Sequence, residues 1–120
     1  GNELLFDNNA TNTGRLRYTG APDRLVLFSA SCSLSAASNN QVLSLKGWHY
    51  DDSATLGSLV TTSLVSRKVT ASGELGAVVV QGSALMSVND YLEIHVTNET
   101  TTAAVTVEDF NFQAFAFPTV

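Results

Sequence analysis

Between Arg24 and Leu34 the apolar residues fall on every second position: Val26, Phe28, Ala30, Cys32 and Leu34 share one face, and Ser29, Ser31 and Ser33 share the other. A period of two predicts a pleated strand with one dry and one wet side, because a helix would mix the two sets around its circumference. The same alternation recurs from Gln41 to Tyr50, where Val42, Ser44, Lys46 and Trp48 oppose Leu43, Leu45, Gly47 and His49. It recurs again from Tyr91 to Thr97, where Leu92, Ile94 and Val96 oppose Tyr91, Glu93 and His95. Shorter strands are predicted over Arg15 to Thr19 and Ser63 to Thr70. Turn formers separate these runs at Gly20-Ala21-Pro22-Asp23, Ser38-Asn39-Asn40, Asp51-Asp52-Ser53, Ala71-Ser72-Gly73-Glu74, Val88-Asn89-Asp90 and Asn98 to Thr102. Two stretches carry no clear period. Asp7 to Gly14 is too polar to pack and is expected to be a lead-in loop, and Asp51 to Thr62 is expected to connect two sheets.

Two strands depart from the wet-and-dry rule. Leu75 to Met86 is nearly uncharged and apolar on both faces, as if something covered its outer side. The last strand, Ala103 to Phe117, holds four of the six phenylalanines and is closed by Pro118. Phe110 and Phe112 fall on one of its faces and Phe115 and Phe117 on the other, unless a bulge near Asp109 shifts the register. Only one face of a strand can enter the core of a lone sandwich. Phe110 and Phe112 are therefore expected inside, with Phe115 or Phe117 against a neighbouring subunit. Val78, Val80 and Tyr91 complete the expected self-association surface. Seven or eight short strands with turns at intervals of about 8–12 residues predict an all-β fold, a two-sheet antiparallel jelly-roll sandwich. No repeat or linker divides the chain, so residues 1–14 are taken as a lead-in and 15–120 as one domain.

Composition sharpens this picture in three ways. Ser, Thr and Asn fill 35 of 120 positions, so the wet faces are built from hydroxyls and amides rather than from the Lys, Glu and Arg of helix surfaces. A net charge of -5 with only six Lys and Arg argues against a phosphate-binding surface, and nucleic acid is not an expected partner. No apolar run approaches the length of a membrane span and no basic-then-apolar signal opens the chain, which is expected to be soluble. A chain that opens on Gly1 rather than Met is expected to be a processed or excised domain. Cys32 is the lone cysteine, lies on the dry face of its strand, and reads as a small buried hydrophobe rather than a reactive thiol.

Candidate chemistry is sparse. His49 with Asp51 and Asp52 could hold a divalent ion at a hairpin tip, but the spacing matches no ligand motif, and a turn whose Asp side chains cap backbone amides explains it more simply. No metal or other cofactor is expected. No serine lies in a nucleophile elbow or beside a histidine, and no glycine pattern resembles a phosphate loop. The chain is therefore not expected to be an enzyme. His95 is expected on an outward face or at an interface. The sequons Asn9-Ala10-Thr11 and Asn98-Glu99-Thr100 carry no weight in a chain so rich in Asn and Thr.

The succession Leu16-Arg17-Tyr18-Thr19-Gly20, Asn39-Asn40-Gln41, Gly76 to Gly82, Asn89-Asp90-Tyr91-Leu92-Glu93-Ile94 and Val105-Thr106-Val107-Glu108 resembles small jelly-roll domains in the virion proteins of tailed bacteriophages. Those domains are similar to the tumour necrosis factor and complement globular-head superfamily. The resemblance covers the chain from Leu16 to its end. It implies a ten-stranded jelly roll that forms a homotrimer about a three-fold axis, with Leu4 to Phe6 and Thr55 to Val60 as sources of strands that periodicity does not reveal. The function it implies is a non-enzymatic virion module, decorating a capsid or forming part of a head or tail fibre, with capsid protein or a host-surface glycan as partner. A lectin-type carbohydrate-binding module is the alternative, with Trp48, Tyr50, Asp51 and Asp52 as candidate ligand contacts and Tyr91 as a further stacking ring. A tryptophan in so small a sandwich is more often core.

Overall fold

The period of two is realised residue by residue in the longest central strand. The computed structural model describes residues 6–9, 12–20 and 22–117, with side chains from residue 15 onward. Its strands are β1 (Phe6–Asn9), β2 (Asn12–Tyr18), β3 (Arg24–Ala36), β4 (Gln41–Asp51), β5 (Leu56–Val69), β6 (Gly76–Met86), β7 (Tyr91–Asn98) and β8 (Val105–Ala116). In β3 every even-numbered residue from Val26 to Ala36 is buried and none of the odd-numbered ones is. Asn40 and Asn89 take positive φ in the turns before β4 and β7, a conformation asparagine tolerates better than most residues.

The strands form two antiparallel sheets, one ordered β1-β2-β7-β4-β5 and the other β6-β3-β8. Their inner faces bury two continuous clusters. One contains Ala30, Cys32, Leu34, Leu43, Leu45, Val69, Val78 and Val80, and the other Tyr18, Val26, Phe28, Val60, Met86 and Leu92. The Phe28 ring reaches across from β3 to Gly47 of the other sheet. A Cβ on Gly47 would stand 2.4 Å from its ring and one on Gly82 2.7 Å, so both positions must lack a side chain. Between Lys46 and Trp48 the register of β5 slips, and the Ser63 hydroxyl takes up the ladder by accepting from Gly47 N at 2.8 Å and donating to Val60 O at 2.6 Å.

Three expectations change. Residues 6–9 and 12–18 form a hairpin, so the expected lead-in loop contains strands; polar composition does not prevent backbone pairing at a sheet edge. Asp51 to Thr62 is no crossover between sheets: after a tight turn the chain enters β5 at Leu56 and pairs straight back onto β4. The described residues form eight strands, not ten; Thr55 to Val60 supplies the start of β5 rather than a separate strand. Leu4, Leu5, Ala10, Thr11, Ala21 and Pro118 lie outside the described residues.

The sandwich is sealed unequally. On the side where β5 lies along β6, Leu43, Leu45, Val69, Val78 and Val80 are all buried, and Arg67 Nη1 donates to Ala77 O at 3.2 Å. On the β7 and β8 side, Ile94, Val96, Phe112, Ala114 and Ala116 are only half-buried although they pack on the same clusters.

Candidate interaction surfaces

The outer face of the three-stranded sheet can be read row by row from its register. Crossing β6, β3 and β8, the rows are Leu85, Leu25 and Phe117; Ser83, Leu27 and Phe115; Gln81, Ser29 and Gln113; and Val79, Ser31 and Asn111. These four rows contain no charge; the next, Ala77, Ser33 and Glu108, ends on a carboxylate. The first two form a contiguous apolar end in which Leu85 is 64% exposed, Phe115 61% and Leu25 44%. The Phe115 and Phe117 rings meet edge to face at 5.7 Å. A trough of about 430 Å³ runs from Leu27 and Phe115 to Ser29, Gln81 and Gln113. Ser29, Ser31 and Ser33 make most of this face of β3 wet, and Leu25 and Leu27, on the same face, make one end of it dry.

This placement sorts the expected self-association residues. Phe115 and Phe117 face outward as expected. Val78 and Val80 do not, because β6 keeps strict alternation and its even positions fill the core; Val79 and Leu85 are the outward apolar residues of that strand. Tyr91 lies on the other sheet, so it cannot share a surface with Phe115. Phe112 packs in the core, whereas Phe110 is 44% exposed. The cause is a bulge: two residues, Asp109 at φ 53° and Phe110, stand opposite Cys32, and the displaced Phe110 ring leans on Phe112 at 6.1 Å.

A second surface covers the outer face of the five-stranded sheet. Tyr91 and Tyr50, directly opposed on β7 and β4, stack at 4.5 Å, and the Arg15 guanidinium sits 3.9 Å from the Tyr91 ring centre. Burial pushes the Tyr91 phenol up from its ordinary value, and Arg15 partly opposes the shift. Arg15 Nε donates to Glu93 Oε2 at 3.1 Å. Trp48 stacks on His95 at 5.0 Å. It is an outward residue, not a core one, and its indole edge lies over Gly57, where any Cβ would collide with it. Trp48, Tyr50 and Tyr91 therefore do come together, with His95 on the outward face where it was expected and Arg15 as a partner that the sequence did not single out. The stacks occupy ring faces, however. Tyr91 is covered on both sides.

The hairpin tip behaves as a capped turn. Asp51 Oδ1 accepts from Ser53 N, Ser53 Oγ and Ala54 N, and these bonds hold its carboxyl below the usual range. His49 points inward to a residue the sequence had not singled out, Asp90, whose buried carboxylate also accepts from Ser87 N and Asp52 N at 3.0 Å each. Asp90 thus ties the ends of β4, β6 and β7 together. Among the described residues no three His, Cys, Asp or Glu side chains gather as metal ligands, and no helix is long and apolar enough to cross a membrane.

No family model matches the chain, and no curated protein matches it in sequence. Among solved structures it is similar to the Eiger TNF of S. frugiperda, with a TM-score of 0.69 and 8% identity over 96% of this chain and 70% of that one. At that identity the likeness is one of fold, and the chain is a two-sheet antiparallel jelly roll of the tumour necrosis factor type.

Proposed function

We propose that this domain is a non-enzymatic, homotrimeric structural module of a virion, acting as a capsid decoration or as part of a head or tail fibre, where it stabilises the particle or contacts the host surface. The observation that carries the self-association is the run of four uncharged rows on the outer face of the three-stranded sheet, whose apolar end exposes Leu25, Leu27, Leu85, Phe115 and Phe117. Contiguous apolar surface of this kind marks an interaction site in a well-behaved protein. A cyclic trimer would set three copies of the face around one axis, apolar ends in contact, with the Gln, Ser and Asn rows forming a wetter segment. The jelly-roll fold supports a trimer through the superfamily resemblance, and the phage-like motifs of the sequence support the virion setting.

Labelling of intact virions with antibodies against the domain tests that setting. Decoration of heads or fibres is expected; a domain found only in infected-cell lysate and never on particles would overturn it. The lectin-type reading rests on Trp48 and Tyr50, whose stacking leaves mainly ring edges for a sugar. A mixed-glycan screen separates the two: binding lost in Trp48→Ala but kept in Phe115→Ser would favour the lectin.

A further inference from the structure

We propose that the sandwich is open along β8 and that this opening accepts one extended segment of another polypeptide, which pairs with the free edge of β8 as a fourth strand of that sheet. The inference uses the fold and is independent of how copies of the chain assemble.

Three observations converge on the opening. β8 pairs with β3 on one side and with no described strand on the other. Phe117 N donates to Leu25 O at 2.9 Å, and the register continues through Phe115, Gln113 and Asn111, so these odd-numbered residues spend their backbone groups on β3. Antiparallel geometry then turns the N–H and C=O groups of Phe112, Ala114 and Ala116 outward. Beneath this edge the core is less completely covered than on the opposite side: Ile94, Val96, Phe112, Ala114 and Ala116 pack on it yet are half-buried, whereas toward β5 and β6 only Val65 and Ala84 are. A strand laid on β8 would satisfy the backbone groups with one face of its ladder and cover those side chains with alternate residues.

The edge also specifies its occupant. Phe110 to Phe117 carries no charge, and Glu108 and Asp109 stand at its start. An antiparallel partner strand should have apolar residues at alternate positions and a Lys or Arg near its C-terminal end, opposite that acidic pair. A second copy of β8 fits poorly because it brings no basic residue. Long uncharged edges left open invite aggregation, and here the guard is confined to the bulge at Asp109.

The test uses the full chain and short fluorescent peptides with valine or phenylalanine at alternate positions and a C-terminal Arg pair; peptides with proline at the ladder positions serve as controls. Saturable binding of the first set alone is expected, with slowed amide exchange at Phe112, Ala114 and Ala116. Ala114→Pro removes an N–H that β3 does not use, so it should keep the circular dichroism of the parent and weaken binding at least about tenfold. The proposal is overturned if no strand peptide binds, if those amides are already protected in the free protein, if binding appears only after residues 1–5 are removed, or if the peptide acts by splitting an oligomer.

Discussion

Phe28 shows how single residues set the limits of this core. Its ring leaves no room for a Cβ at Gly47 or Gly82, and the Gly47 position is further crowded by Ser63 Oγ at 2.8 Å. Gly47→Ala or Gly82→Ala should therefore lower stability by about 1–3 kcal/mol through overpacking, read from the denaturant midpoint. Loss below the noise of that measurement would mean that the ring moves freely. Cys32 is legible from sequence alone because burial follows its place in the alternation, and burial raises its thiol pKa. The folded thiol then ionises at higher pH than the unfolded one, so its contribution to stability is full below the unfolded value and is lost as pH rises through the folded one. Cys32→Ala should keep the assembly, cost about 1 kcal/mol or somewhat more, and flatten that alkaline loss. Fast alkylation of native protein near neutral pH would contradict this placement. Asp90 was illegible for the opposite reason: in sequence it is one more turn aspartate, and only folding brings Ser87, Asp52 and His49 around it.

Among the elements, β3, β4 and β7 could be read directly because one face of each is dry and the other wet. β5 could not. A slip of register against β4 breaks its period, so Leu59 and Leu64 face outward although four residues intervene. In β6 it was legible that both faces are apolar, but not which of them is inner; pairing with β3 decides it, and the expected interface residues Val78 and Val80 become core. The bulge at Asp109 was anticipated only as an option, and it separates the four phenylalanines of the β8 region into different roles. Phe112→Ser should unfold the chain or nearly so, since removing a core Phe costs roughly 3–5 kcal/mol against a total of about 5–15. Phe115→Ser with Phe117→Ser should leave strand content intact by circular dichroism and change only the oligomeric state. If Phe112→Ser were the milder of the two, the inner and outer faces of β8 would have been exchanged.

At the scale of the whole molecule, the net charge of -5 lies outside the four rows of the three-stranded face. Assembly through that face should therefore be insensitive to salt or slightly strengthened by it, because screening relieves repulsion between copies without weakening any ion pair in the contact. Sedimentation at low and high ionic strength checks the sign, and dissociation by salt would point instead to the Arg15 and Glu93 face. The most direct measurement is the native mass of the chain at micromolar concentration, compared with the Phe115→Ser, Phe117→Ser double variant. Three times the chain mass is expected for the parent and a folded monomer or dimer for the variant. A parent that is a sharp monomer, or a variant that remains a trimer, would contradict that expectation.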